Sequence, residues 1–324
     1  MRFLFVMDPA ESMLPDKDTT FAFIRGATER GHEALHCLPG DLSISASASS
    51  RVQANVRGIR VQGAAPHVTL DAPSVVDLSS LDAVFVRKDP PFDSAYLHLT
   101  QMLDLVKDQV LVLNDPAGLR AANEKLFALR FAHLMPRTLV TRERQALLDF
   151  TREVGGRAVL KPLDGAGGSG VVALTTGDKN ARALTDILTH EGRELAMVQE
   201  YRPEIEHGDK RVLVLGGRLL GAILRVPRAD DLRANIHVGG QVHATTLTAD
   251  EARLVDEVGP ALLAHGLYFV GLDLIGGKLI EVNVTSPTGI QELGRLTGSH
   301  PEAAVIEWVE ARVKGHERTT AQPT

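Results

Sequence analysis

Asp273, Glu281 and Asn283 are the residues of this chain whose types and spacing point most directly to chemistry. They lie in Gly271-Leu272-Asp273-Leu274-Ile275-Gly276-Gly277-Lys278-Leu279-Ile280-Glu281-Val282-Asn283, which reads as two strands around a glycine turn. Side chains two apart on a strand share a face, so Glu281 and Asn283 point the same way. Asp273 joins them in only one register. A two-residue turn at Gly276-Gly277 pairs Asp273 with Ile280 and separates the acids. A three-residue loop from Gly276 to Lys278, with a glycine in the left-handed region, pairs Asp273 with Glu281. We take the longer loop as the expectation. Two carboxylates about 4 Å apart repel by roughly 4 kcal/mol at an effective dielectric of ~20, so such a site calls for a cation. Carboxylate and amide oxygens without nearby His or Cys suit magnesium, with manganese as the alternative. An exposed acidic strand edge would carry the same letters.

Groups suited to phosphate stand upstream. Gly165-Ala166-Gly167-Gly168-Ser169-Gly170 contains Gly-x-Gly-x-x-Gly, but Val171-Val172-Ala173-Leu174-Thr175 follows it. That is a strand, where a dinucleotide-binding fold requires a helix. The glycines therefore join two strands as a flap whose backbone N–H groups can cover phosphates; a bare hairpin tip is the plain alternative. No Walker Gly-Lys-Ser/Thr, His-Arg-Asp or Asp-Phe-Gly accompanies them. Lys161, in Ala158-Val159-Leu160-Lys161-Pro162-Leu163, sits among apolar residues just before the flap. Burying its charge is costly without a partner, and a triphosphate is such a partner. Lys125 is a second candidate, on a helix expected from about Gly118 to Ala132, where a solvated surface lysine is the ordinary outcome. Gln199-Glu200-Tyr201-Arg202-Pro203 reads as a crossover whose backbone can meet an adenine edge, as any interdomain linker could.

Cationic and hydroxyl groups suited to an anionic substrate lie elsewhere. Asp209 and Arg211 share a face at the entry to a strand. The segment from Arg225 to His243, with Arg225, Arg228, Arg233 and Asn235, has few apolar anchors and reads as a mobile loop able to close over a substrate, or as a solvated one. Arg87 and Asp89, in Arg87-Lys88-Asp89-Pro90-Pro91-Phe92-Asp93, follow a strand end where ligand loops gather. Thr19 and Thr20 open a helix, and Ser286, Pro287 and Thr288 follow the metal strand directly. Helix N-termini hold carboxylates, although capping and turn roles use the same residues.

The elements that must position these groups alternate at first between strand and helix. Strands are expected at 3–7, 34–38, 81–86 and 110–113, and helices from the Asp18-Thr19-Thr20 cap to Gly31 and over 94–107. This predicts a mostly parallel α/β sheet with ligands near the carboxyl ends of its strands. The segment 43–62 is either a hairpin or a mobile loop. Further strands are expected at 138–141, 158–163, 171–175, 195–199, 211–215, 218–225, 269–275 and 278–284. Helices are expected at 144–154, 180–188, 250–265 and 301–313, before a polar, frayed tail.

At 324 residues the chain exceeds one typical core. A net charge of -6 argues against a nucleic-acid partner, since phosphate contacts need clustered Lys and Arg. Cys37 is the only cysteine, which excludes an intramolecular disulfide framework and fits a reducing cytoplasm. The apolar start is too short for a secretory signal, and no apolar run approaches the ~20 residues that span a bilayer, so no membrane partner is expected.

In their order along the chain, these segments resemble the bacterial glutathione synthetases of the ATP-grasp superfamily. The resemblance rests on Arg87-Lys88-Asp89-Pro90-Pro91-Phe92-Asp93, Asn123-Glu124-Lys125-Leu126-Phe127, Leu160-Lys161-Pro162-Leu163-Asp164-Gly165 and Asp209-Lys210-Arg211-Val212-Leu213-Val214. It continues in Val270-Gly271-Leu272-Asp273 and Glu281-Val282-Asn283-Val284-Thr285-Ser286-Pro287-Thr288. It implies an ATP-grasp fold behind a Rossmann-like N-terminal domain: a substrate domain over 1–122, a central lid over 123–201, a metal-bearing domain over 202–316 and a disordered tail over 317–324. ATP would meet Lys125, Lys161, Gly165, Gly167, Gly168, Gln199, Glu200, Tyr201 and Asp209, with magnesium on Asp273, Glu281 and Asn283. Arg211, Arg225, Arg233 and Asn283 would serve catalysis. Thr19, Arg87, Asp89, Asn235, Ser286, Pro287 and Thr288 would hold substrate. The implied partners are ATP, a γ-glutamyl dipeptide and glycine, in a cytoplasmic homo-oligomer, a tetramer by resemblance. Gln241, Gly289 and Gln291 depart from the family pattern, which commonly has a basic residue at the first position and Cys-Ile-Arg where this chain has Gly289-Ile290-Gln291. The departures bear on acceptor identity, not on reaction class.

Overall fold

A computed structural model describes residues 1–228 and 239–320, with side chains to Gly315. Among the described residues the chain forms three sheets. In the first, Arg2–Met7 lies between Glu33–Cys37 and Ala83–Arg87, and Leu111–Leu113 follows, all parallel. These strands are near-continuous apolar runs buried on both faces, as helix-covered parallel strands must be. The segment 43–62 is resolved as a hairpin: Leu42–Ala46 pairs antiparallel with Ser50–Val61, which also pairs with Val68–Leu70 and Ser74–Asp77. Helix Thr19–Glu29 starts where expected, because the Asp18 carboxylate accepts from Thr20 N and Phe21 N and satisfies its first free donors.

The second sheet is antiparallel, in the order Val172–Thr175, Arg157–Pro162, Ala196–Glu200, Thr138–Thr141. Helices Arg144–Glu153 and Ala181–Leu188 cover it, and Leu147, Leu160, Leu174 and Val198 form a core of its own. The third sheet, also antiparallel, runs Gln241–Ala244, Arg218–Val226, Asp209–Leu215, Phe269–Ile275, Lys278–Asn283. Its apolar side shares continuous cores with the first sheet, so Val6 and Val84 belong to the same cluster as Val212 and Val282. Asn114, just past Leu111–Leu113, clamps the two together: its Nδ2 donates to Phe269 O and Val284 O, and its Oδ1 accepts from Tyr268 N and Phe269 N.

Three expectations change. The helix expected from Gly118 to Ala132 is broken into α-helix Pro116–Ala121 and 3-10 helix Phe127–Leu134, because Asn123 Oδ1 accepts from Lys125 N and Leu126 N and turns the chain between them. An unforeseen helix, Ile290–Thr297, follows the metal strand. The last helix, Pro301–Thr320, runs past residue 317, where the tail was expected to begin. No helix among the described residues is long and apolar enough to cross a membrane.

Candidate active site

Cross-strand pairing gathers the charged groups on one face of the third sheet. Asp209 lies opposite Arg225, Arg211 opposite Asp273, Asp273 opposite Glu281, and Gly271 opposite Asn283. Asp273 therefore faces Glu281 as expected, but not through a three-residue loop. Ile275 pairs with Lys278 across a two-residue turn in which Gly276 and Gly277 have φ of 55° and 72°, values that favour glycine. Leu274 pairs with Leu279 and Asp273 with Glu281, so Ile280 is an extra residue in the second strand. That bulge restores the shared face which the tight turn alone would have removed.

The anions on this face are matched by cations. Arg211 Nε and Nη2 donate to Asp273 Oδ1 and Oδ2 at 2.6 and 3.0 Å. Arg225 holds Asp209 in the same two-point way at 2.7 and 2.6 Å and approaches Asp273 Oδ1 at 3.0 Å. Burial alone would raise the Asp273 carboxyl; Arg211 and then Arg225 outweigh it and hold the group well below the ordinary carboxylate range. Asn283 Nδ2 donates to Gly271 O and Asp273 Oδ2, which leaves its Oδ1 to face outward. Lys125 Nζ lies 3.0 Å from Glu281 Oε1. Asp273, Glu281 and Asn283 thus bring side-chain oxygens together on a face where arginines and a lysine already balance the carboxylates. No group of three or more His, Cys, Asp and Glu that could hold a metal occurs among the described residues. A cation here would draw its remaining ligands from Asn283 and nucleotide phosphates, as magnesium commonly does.

The second sheet brings a glycine loop and a buried lysine to this face. Arg157–Pro162 and Val172–Thr175 pair antiparallel, so Gly165, Gly167 and Gly168 sit in a loop between two strands as expected. Lys125, carried by the Asn123 turn, is 3% exposed rather than on a helix surface, and its Nζ donates to Gly165 O at 2.6 Å. Lys161 is 7% exposed, and its Nζ donates to Gln199 Oε1. Burial lowers its pKa to about 8, although Glu281 opposes the shift. A pocket of about 120 Å³ is lined by Lys125, Lys161, Gly165, Gly167, Gly168, Gln199, Glu200, Tyr201, Asp209, Asp273 and Glu281. The Tyr201 ring that lines it carries the Arg157 guanidinium 3.7 Å from its centroid.

A cleft of about 650 Å³ opens on the other side of Gly167 and Glu281, at the carboxyl ends of the parallel strands. Arg87, Asp89, Arg211, Arg225, Asn283, Ser286, Pro287 and Thr288 line it. The buried Arg87 donates from Nε to Thr20 Oγ1 and from Nη2 to Pro287 O. Thr19 is fully buried behind the wall with its hydroxyl unpartnered, and Thr20 is the residue that reaches the cleft. Sequence reasoning missed Glu124, which also lines it and accepts from Thr285 Oγ1. Burial, then Glu281, pushes its carboxyl up to about 7. Its place beside Lys125 was the only available signal. Arg233 and Asn235 lie outside the described residues.

This arrangement puts two buried lysines and an arginine-lined cleft on opposite sides of Gly167 and Glu281. Sequence profiles of the prokaryotic glutathione synthetase N-terminal domain and ATP-grasp domain match residues 1–120 and 124–298. The chain belongs to the prokaryotic glutathione synthetase family. Glutathione synthetases of Gloeobacter violaceus and Synechocystis are 45% and 41% identical to it, over 95% and 96% of this chain and 96% and 99% of theirs. The ATP-grasp ligase PsnB superposes with a TM-score of 0.63 at 19% identity, covering 95% of this chain and 98% of that one. The macrocyclase MdnC of Microcystis aeruginosa does so with 0.64 at 15%, covering 96% of this chain and 100% of that one. These structures share the ATP-grasp fold. The protein is a member of the glutathione synthetase family and an ATP-dependent ligase.

Proposed function

We propose that the protein joins γ-glutamylcysteine to glycine at the expense of ATP. The observation that carries this reading is the meeting, at Gly167 and Glu281, of the pocket lined by Lys125 and Lys161 and the larger cleft lined by Arg211 and Arg225. The dipeptide carboxylate, drawn by Arg87 and Arg211, attacks the γ-phosphate of ATP held by Lys125, Lys161 and the glycine flap, and ADP leaves. The resulting acyl phosphate is attacked by the glycine amine, which forms the amide and expels phosphate. Phosphoryl transfer depends on positioning and charge neutralisation, the tasks of these cations. Asp273, Glu281 and Asn283 would hold magnesium, or manganese, which neutralises phosphate charge when bound. Gln199, Glu200, Tyr201 and Asp209 would border the nucleoside. Asp89, Ser286, Pro287 and Thr288 would border the dipeptide, while Thr19 acts only through the helix start it buries.

Arg233, as a catalytic group, and Asn235, as a substrate-binding one, belong to the same proposal. The units 1–122, 123–201 and 202–316 are read as substrate domain, lid and metal-bearing domain, because the middle sheet has its own core. A cytoplasmic homo-oligomer completes the reading.

Gly289 and Gln291 do not line the cleft. Gln291 is 8% exposed and donates to Asp18 O, and Gly289 adopts φ of 114° behind Thr288. The test supplies purified protein with ATP, magnesium, γ-glutamylcysteine and a panel of amines. Glycine should give glutathione and phosphate in equal amounts, and Glu281→Gln or Lys161→Ala should abolish both. Preference for another amine, or parental rates in either variant, contradicts the assignment.

A further inference from the structure

Lys161 is aimed by a chain of hydrogen bonds whose polarity can run in only one direction. Lys161 Nζ donates to Gln199 Oε1 at 2.9 Å, Gln199 Nε2 donates to Thr138 Oγ1 at 3.0 Å, and Thr138 Oγ1 donates to Pro136 O at 2.9 Å. Pairing within the second sheet dictates this alignment, because Gln199 lies directly opposite Thr138 on one side and Val159 on the other. Lys161, two residues beyond Val159, shares their face. An amide is ambiguous by itself, since either end can face either neighbour. Here the ambiguity is removed. A threonine hydroxyl has one proton, and with that proton on Pro136 O it offers Gln199 only lone pairs. Turning the amide over would set its NH₂ against the ammonium, donor to donor, inside a site where both side chains are almost fully buried.

We propose that Thr138 is a positioning residue for nucleotide binding: it fixes the Gln199 amide so that Gln199 Oε1 holds the Lys161 ammonium at the phosphate site. The inference rests on the reading of Lys161 as a phosphate ligand and deepens it. Thr138 does not line the nucleotide pocket, so its removal deletes no contact to ATP. Burial already pushes Lys161 towards its neutral form, and loss of the one acceptor oxygen would push it further.

Calorimetric titration of the full-length protein with ADP and magnesium tests this. Thr138→Val should weaken ADP about tenfold, the factor expected for one lost hydrogen bond to a buried charge. Thr138→Ser, which keeps the hydroxyl, should restore affinity to within about twofold, and the KM values for dipeptide and glycine should not move in either variant. In a Gln199→Glu background both side-chain ends are acceptors, so adding Thr138→Val should change ADP affinity by less than about twofold. Parental ADP affinity in Thr138→Val, or the same loss in both backgrounds, overturns the inference. If Thr138→Val fails to fold, Thr138→Ala carries the same cycle. A protein that binds no ADP, or a Lys161→Ala variant that binds it normally, overturns the nucleotide reading and this inference with it.

Discussion

Two proposed metal ligands should differ sharply in what they contribute to the fold. Asp273 is 4% exposed and answers three guanidinium contacts, two from Arg211 and one from Arg225. Asp273→Asn leaves those guanidiniums buried with less negative charge. Arg225 keeps the Asp209 carboxylate, but Arg211 keeps only neutral acceptors, Thr288 O at 3.2 Å and the one oxygen left at position 273. Removing one partner of such a buried pair costs about 3–5 kcal/mol. Glu281 has a side chain 20% exposed and a single ammonium partner, Lys125, which also holds Gly165 O. Glu281→Gln should therefore cost less than about 1 kcal/mol. Both variants should be inactive, so activity alone does not separate them. Urea unfolding without nucleotide or magnesium, followed by far-ultraviolet circular dichroism, does: the midpoint should fall strongly in Asp273→Asn and barely in Glu281→Gln, at similar slopes. The Asp273 contribution has a defined pH range as well. Its folded-state pKa lies below the unfolded value of 3.8, so the contribution is complete above that pH and lost as pH falls below it. Equal losses in the two variants, or an Asp273→Asn protein as stable as the parent, would refute the charge assignment.

Other outcomes follow from the same geometry. With Lys161 lowered to about 8, calorimetric ADP affinity should be nearly flat below pH 8 and weaken about tenfold between pH 7 and pH 9, a dependence that Lys161→Arg should remove. The unliganded fold responds in the opposite sense. It gains from this residue as pH rises from about 8 towards 10.5, where the unfolded chain still holds a proton that the folded one has released. Asn114→Ala strands four buried backbone groups between the first and third sheets and should cost on the order of 3–5 kcal/mol, read as a lowered thermal midpoint. Chelation of magnesium should abolish ligation without changing the circular dichroism spectrum, because arginines already neutralise Asp273.

Much of the charged face of the third sheet was legible because strand alternation and residue order are local properties. The Asp273–Glu281 pairing was expected for the wrong reason: glycine spacing alone does not say whether the extra residue sits in the turn or, as at Ile280, in the strand. The burial of Lys125 was hidden because helical periodicity continues through Asn123, and only a side-chain hydrogen bond breaks it. Thr19 and Thr20 are indistinguishable as letters, and the docking of their helix decides which one meets Arg87. Glu124 and Asn114 draw their roles from partners about 150 residues away in sequence, beyond the reach of any local pattern.

The most direct measurement of the central claim labels the carboxylate of γ-glutamylcysteine with a heavy oxygen isotope and analyses the phosphate released during ligation by mass spectrometry. Attack of that carboxylate on ATP predicts one labelled oxygen in each phosphate. Unlabelled phosphate, formed at the same rate as glutathione, would contradict an acyl phosphate and the mechanism built on it.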